Sequence, residues 1–166
     1  MKTHYLTFVV GVLLLFCFNG TKAQTNQSKL DQIELCKQWI GYWKAEIGKE
    51  TTFIIDCKSF YSGYEFYLKQ ETRGKIIFEQ KSLMGYDQKN NRFIESAINS
   101  GSKDIILFAM WFTSENKCEE ILLNDVTNPE KAMYKWIFEF KSPELLTWKD
   151  VGDNKVTNTY TFHREI

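Results

Sequence analysis

The sequence lacks several motifs on which common chemistries depend. It contains only two prolines and two histidines among 166 residues. It has no Gly-x-Ser-x-Gly elbow of a serine hydrolase, no cysteine pair at zinc-ligand spacing and no glycine-rich phosphate loop. These absences disfavour serine hydrolysis, a structural zinc site and nucleotide binding. We therefore expect no metal and no other cofactor.

The first residues have the pattern of an export signal. The basic residue Lys2 precedes an apolar run over 8–18, which is too short to span a bilayer, and small residues stand at Thr21 and Ala23. This pattern predicts that residues 1–23 form a signal peptide cleaved after Ala23. An uncleaved membrane anchor is the less favoured alternative.

Cleavage would leave residues 24–166 as one secreted or periplasmic domain, and we do not expect an integral membrane protein. It removes two of the 21 basic residues and none of the 21 acidic ones, so the net charge becomes −2. That balance gives no reason to expect a nucleic acid or an anionic membrane as partner.

Three cysteines remain in the predicted domain: Cys36, Cys57 and Cys118. An odd number in an oxidising compartment allows one disulfide with one free thiol, or three buried thiols. Spacing alone does not distinguish these alternatives.

The periodicity predicts one helix followed by many strands. Ser28 to Ile40 has helical spacing with Ser28 as a candidate cap, and Gly41 ends it. Alternating residues with short polar turns between them then predict a run of strands. The predicted strands cover 60–68, 76–84, 92–99, 104–113, 117–123, 133–140, 145–149 and 155–164, with a short capped turn at 128–131.

Strands joined in sequence by short turns form a meander, and a meander can close on itself. The predicted fold class is therefore all-β: a closed antiparallel up-and-down barrel with a short N-terminal helix. Strand 104–113 is apolar on both faces, so its outer face is expected to be covered by the helix or by a second subunit in a possible homodimer.

Three short motifs carry a resemblance to a known family. Gly41-Tyr42-Trp43 follows the helix, Gly85-Tyr86-Asp87 precedes Asn91-Arg92-Phe93, and the chain ends near Tyr160-Thr161-Phe162-His163-Arg164. This ordered set resembles the lipocalin-like (calycin) barrels, and in particular the secreted bacterial family called domain of unknown function 1579. The resemblance covers nearly all of residues 24–166 and implies a closed lipocalin-like barrel without a settled activity.

The resemblance also suggests how the barrel closes. Calycins commonly place an arginine of the last strand over the tryptophan of the first, and Arg164 and Trp43 are the matching residues. Gly41 would let the chain turn tightly into the barrel. An exposed C-terminal arginine is the alternative for Arg164.

His163 is the one histidine of residues 24–166. The nitrobindins, a related barrel family, hold haem through a histidine, but their glycine-rich stretch after Gly-x-Trp is absent here. If Arg164 points inward, then His163 points outward, because neighbouring strand residues alternate. A surface histidine is therefore favoured over a haem ligand.

Carboxylates are the other candidates for chemistry, since a small barrel can use an interior acid or tyrosine for acid–base work. Glu65 and Glu79 lie on predicted strands. Glu65 shares its face with Lys69, and Glu79 with Lys81, which indicates a solvated exterior. We expect no catalytic residue among them.

The strongest indication of a binding site is a set of aromatic residues at alternate positions, which share one face of their strands. They would point inward together and line a pocket for a small hydrophobic or aromatic molecule, or else they would fill the barrel. The predicted ligand-binding residues are Tyr64, Phe66, Tyr134, Trp136, Phe138, Trp148, Tyr160 and Phe162.

Three functions remain open at this stage. The favoured one is an exported barrel that binds a small apolar or aromatic ligand, which an open aromatic cavity would support. A small barrel enzyme using an interior tyrosine or carboxylate is the second, and a strongly perturbed acid in the cavity would support it. The third is an interaction protein with a packed barrel and an exposed apolar patch.

Overall fold

The computed structural model describes residues 30–165. The predicted signal peptide, its cleavage site and the candidate cap Ser28 lie outside these residues. The described chain is a closed antiparallel barrel with a short helix before it, so the predicted fold class is confirmed.

Each strand pairs with its neighbours in sequence, and β1 pairs with β10 to close the barrel. The described residues form ten strands. Their bounds are β1 Gly41–Ile47, β2 Thr51–Phe60, β3 Gly63–Thr72, β4 Lys75–Asp87, β5 Arg92–Asn99, β6 Ile106–Ser114, β7 Lys117–Leu122, β8 Tyr134–Ser142, β9 Leu145–Gly152 and β10 Lys155–Glu165.

The predicted strand over 60–68 is wrong, because it joins two strands of the structure. Phe60 ends β2 and Gly63 begins β3, and Tyr61 between them has a positive φ of 51°. A two-residue turn preserves the alternation of side chains, so Phe60 and Tyr64 keep the same parity across it. For that reason periodicity alone did not reveal the turn.

The helix is shorter than predicted. The α-helix α1 spans Gln32–Cys36 and continues as a 3-10 turn over Lys37–Trp39. Its N-cap is Asp31, whose side chain accepts a hydrogen bond from the Glu34 amide at 3.0 Å. A carboxylate at this position satisfies one of the unpaired amides of the first turn. No helix within residues 30–165 is long and apolar enough to cross a membrane.

The helix is fixed to one end of the barrel, which we call the base, by the buried Gln32 side chain. Its Oε1 accepts from the Phe112 amide at 2.6 Å, and its Nε2 donates to the Phe112 carbonyl at 3.0 Å. These two bonds satisfy the backbone of β6 near its end. The helix thereby seals the base.

Aromatic residues fill the barrel next to this helix. Trp39 packs edge to face on Phe138 and Phe140, with centroids 4.8 and 5.2 Å apart. Phe162 and Leu146 are completely buried beside them. The base is thus a packed core, and its aromatic contacts stabilise it beyond the area they bury.

The outer face of β6 is covered only in part. Ala109 is completely buried, and the 3-10 turn Leu123–Asp125 lies against this strand. Leu107 remains 43% exposed, beside exposed Leu83 and Ile98 of the neighbouring strands. Of the two covers expected for the outer face of β6, the helix α1 does not serve. It contacts β6 at the base instead, through the backbone of Phe112.

Candidate functional site

Three residues hold the two ends of the sheet together at the base. Arg164 places its guanidinium carbon 4.3 Å from the centre of the Trp43 ring. The Trp43 indole donates to the Trp39 carbonyl at 2.9 Å, and Arg164 donates to the Gln38 carbonyl at 2.8 Å. Gly41 has a φ of +136°, and a Cβ there would lie 3.5 Å from the Arg164 side chain. Because these side chains and the aromatic core fill the base, space for a ligand lies only between the base and the opposite end of the barrel.

A cavity of about 410 Å³ occupies the half of the barrel away from α1. Side chains near the far ends of the strands, including Gln70, Asn99 and Leu122, surround it. Its volume falls in the range of small-molecule sites, about 300–1,000 Å³. The barrel is thus packed at the base and open above it.

Five of the eight residues predicted to bind a ligand line this cavity: Phe66, Trp136, Phe138, Trp148 and Tyr160. Tyr64 and Phe162 point inward but are buried in the packed base. Tyr134 lies at the start of β8 and is 55% exposed, outside the lining. Phe53, Leu68 and Phe108 add further apolar walls.

Two carboxyl groups meet inside this apolar lining. Glu95 on β5 and Glu120 on β7 both face inward across β6, in register with Phe108 and Met110 respectively. Glu95 is only 7% exposed. The two carboxyl groups are close enough for one to hydrogen bond to the other.

Burial is the largest cause of the unusual acidity of this pair. It raises the pKa of Glu95, while hydrogen bonds from Ser82 and Glu120 oppose the rise. Burial also raises the pKa of Glu120 well above its usual range, and the charge of Glu95 raises it further. Two like charges this close do not both ionise readily, so ionisation of one carboxyl group opposes ionisation of the other.

Neighbouring polar groups surround the pair incompletely. Gln80 donates to Glu95 Oε1 over a long 3.4 Å. Ser82, only 2% exposed, lies on the inner face of β4, and its hydroxyl has no partner at good hydrogen-bonding geometry. The hydroxyl can rotate to donate a hydrogen bond to Glu95, which lowers the pKa of that carboxyl group.

A third carboxylate lies nearer the open end. Asp150 lines the cavity and accepts from the Trp148 indole at 2.8 Å and from Asn158 at 3.1 Å. Burial raises the pKa of Tyr160, and the charge of Asp150 raises it further. Tyr160 is therefore a neutral hydroxyl at the cavity wall.

The residues considered earlier for chemistry lie on the outside. Glu65 pairs with Lys81 at 3.0 Å, and Glu79 accepts from the Tyr67 hydroxyl at 3.0 Å. His163 is exposed on β10, opposite in parity to the buried Phe162. No cluster of three potential metal ligands occurs within the described part of the chain.

The three cysteines Cys36, Cys57 and Cys118 are free and buried. Burial raises the pKa of each thiol. Neutral buried thiols are poor nucleophiles. Of the two alternatives left by the spacing, the structure has three buried thiols.

The acid pair was missed at the sequence level, although a signal for it exists. Glu95 shares one face of its strand with Phe93 and Ala97, which lie two positions before and after it. Glu120 shares a face with Cys118 and Leu122 in the same way. A carboxylate at a position where both same-face neighbours are apolar is predicted to point inward. Glu65 and Glu79 share their faces with lysines and give no such signal.

The fold and the site together define a class: an up-and-down β-barrel with a helix-sealed base and an internal cavity that contains an acid pair. No family model matches this chain, and no curated protein matches it.

Proposed function

We propose that the protein is an exported lipocalin-like barrel that binds a small apolar or aromatic molecule in its cavity. The observation that carries the proposal is the cavity of about 410 Å³, walled mainly by aromatic and aliphatic side chains above a packed base. A rigid aromatic wall around an open space suits a ligand of similar character. The membership of the calycin group and the export both belong to this proposal and rest on the sequence motifs.

A matched pair of substitutions on β6 tests the binding proposal. Ile106 lines the cavity, whereas Leu107 next to it faces outward. Ile106→Trp places an indole in the cavity, and Leu107→Trp places the same side chain outside.

The probe is naphthylethanol, a neutral aromatic molecule, titrated by isothermal calorimetry. We expect saturable binding with one site in the parent and in Leu107→Trp, and a loss of about tenfold or more in Ile106→Trp, because the indole takes up the ligand's space. No binding to the parent, or equal binding to both variants, would overturn the proposal.

A second candidate function is acid–base catalysis, and the Glu95–Glu120 pair favours it. The two carboxyl groups meet in the cavity wall, and burial raises the pKa of both, which suits groups that donate and accept protons in a reaction. A search for turnover among molecules that bind the cavity distinguishes the two functions. A binding protein returns its ligand unchanged, whereas an enzyme releases a product, and Glu120→Gln would abolish that release.

A further inference from the structure

The charged groups of the cavity lining have one sign. Glu95, Glu120 and Asp150 contribute carboxyl groups, while no lysine, arginine or histidine lies among the described residues that line it. An interior built only for a neutral apolar molecule would not need these groups. Burying a carboxylate without a cation costs free energy, so each requires a reason.

The acid pair has no internal partner of opposite charge. None of the ion pairs formed among residues 30–165 includes Glu95 or Glu120; they join other acids, such as Glu65 and Glu119, to lysines and arginines. A buried ion is normally paired or bound to a metal. A cation from outside the chain would supply the charge partner that the described residues do not provide.

The surroundings of the pair also have spare hydrogen-bonding capacity. The Ser82 hydroxyl is buried on the inner face of β4, where it can hydrogen bond to Glu95 and does not line the cavity. Gln80 reaches Glu95 only at 3.4 Å. Glu95 and Gln80 both line the cavity, and this long bond leaves lone pairs of Glu95 free to accept a hydrogen bond from a ligand.

We infer that the ligand carries a positively charged nitrogen on its apolar body, as in a hydrophobic amine, and that this nitrogen lies against the Glu95–Glu120 pair. The inference rests on the proposed binding function and names the ligand's class. An ammonium donates hydrogen bonds and no lone pair, which matches a site of acceptors. The aromatic wall that includes Trp136 and Trp148 accommodates the apolar body and tolerates the charge near it.

Three probes with the same naphthalene body test the inference: naphthylethylamine, naphthylethanol and naphthylacetate. They are cationic, neutral and anionic at neutral pH, so their relative affinities isolate the charge. Calorimetry on the parent protein should give the order amine, alcohol, acid, with the amine at least about tenfold tighter than the alcohol. An alcohol or acid that binds as tightly as the amine would overturn the inference.

The double substitution Glu95→Gln with Glu120→Gln removes the charge of the pair while retaining its size. The amine should lose roughly 30-fold in affinity, and the alcohol should change by less than about threefold. Retained alcohol binding also shows that the variant barrel is folded. A double variant that still prefers the amine would contradict the inference.

The matched control is Glu65→Gln with Glu119→Gln, which makes the same two Glu-to-Gln changes on the outer face. It should leave the affinities of all three probes unchanged within about twofold, since both carboxylates lie outside the cavity and already pair with lysines. An equal loss of amine binding in the control would assign the preference to overall charge and refute the role of the pair.

The two proposals fail differently in this experiment. If none of the three probes binds, the binding function itself is wrong. If the alcohol binds and the amine gains nothing over it, the binding function holds and the inference about the charged nitrogen is wrong.

Discussion

The guanidinium carbon of Arg164 lies 4.3 Å above the ring of Trp43, and this contact joins the last strand of the barrel to the first. The same side chain donates to the Gln38 carbonyl at 2.8 Å in the 3-10 turn that precedes β1. One residue therefore connects three elements at the base. The glycine at 41 leaves the room that this side chain occupies.

Replacing Arg164 with methionine should destabilise the barrel by about 1–3 kcal/mol, because the stacking and the charged hydrogen bond are both lost. Arg164→Lys should lose a similar amount, since lysine cannot stack as a plane. Urea unfolding followed by tryptophan fluorescence measures the change. A loss below about 0.5 kcal/mol in the methionine variant, typical of an exposed position, would refute the closing role.

Gln32→Leu should destabilise the protein by about 2–4 kcal/mol, because it leaves the buried Phe112 amide and carbonyl without partners. Gln38→Leu is the comparison: its side chain donates to the Glu115 carbonyl at an exposed position. It should cost about 1 kcal/mol or less. Equal losses of unfolding free energy in the two variants would mean that α1 does not depend on Gln32 for its attachment.

The fold was predictable because strand alternation survives in the sequence wherever one face is buried. Phe138 and Phe140 alternate with Ile137 and Glu139, and such a pattern admits one inward face. The number of strands was less predictable. The Tyr61–Ser62 turn contains neither glycine nor proline. Because it is two residues long, the alternation of inward and outward side chains continues across it, and in the sequence it resembles the interior of one long strand.

The three thiols should be unreactive in the folded protein. Burial raises the pKa of Cys36, Cys57 and Cys118, which removes the thiolate that attacks disulfide reagents. In the chain that begins at Gln24, titration with Ellman's reagent should give no rapid reaction at neutral pH and three reactive thiols in urea. Two missing thiols in urea would indicate a disulfide and contradict the structure.

Stability should fall as pH rises above the usual glutamate range. The pKa of Glu95 and of Glu120 is raised in the folded state, so the folded protein holds protons that the unfolded chain has released. The stabilisation is complete below about pH 4.3, the usual glutamate value, and is lost as the pH rises through the raised pKa. The slope is at most about 1.4 kcal/mol per pH unit for each proton held.

Glu120→Gln should flatten this dependence and raise the free energy of unfolding at the upper end of the range. Urea unfolding between pH 5 and 8 measures it, below the range in which unfolded thiols ionise. The variant leaves the other titratable groups around the cavity unchanged, namely Asp150, Tyr160 and Cys118, so a difference between the two profiles reports on Glu120. Parallel pH profiles of the parent and the variant would contradict the raised pKa of Glu120 in the folded protein.

The site was predictable only in its apolar part. Aromatic residues on one face of β8 and β9 indicated a common interior, but alternation does not say how deep each side chain lies. Tyr64 and Phe162 lie in the packed base, whereas Trp136 and Trp148 line open space. The meeting of Glu95 and Glu120 depends on the register of three strands, which the order of residues does not specify.

The central claim, that the ligand enters the barrel, is tested most directly by the five tryptophan indole N–H signals in a proton–nitrogen correlation spectrum. Trp39, Trp136 and Trp148 line the cavity, while Trp43 lies in the base and Trp111 on the outer face. On saturation with naphthylethanol, the Trp136 and Trp148 signals should shift and those of Trp43 and Trp111 should stay in place. A shift confined to Trp111, or no shift in Trp136 and Trp148 at saturation, would contradict binding inside the barrel.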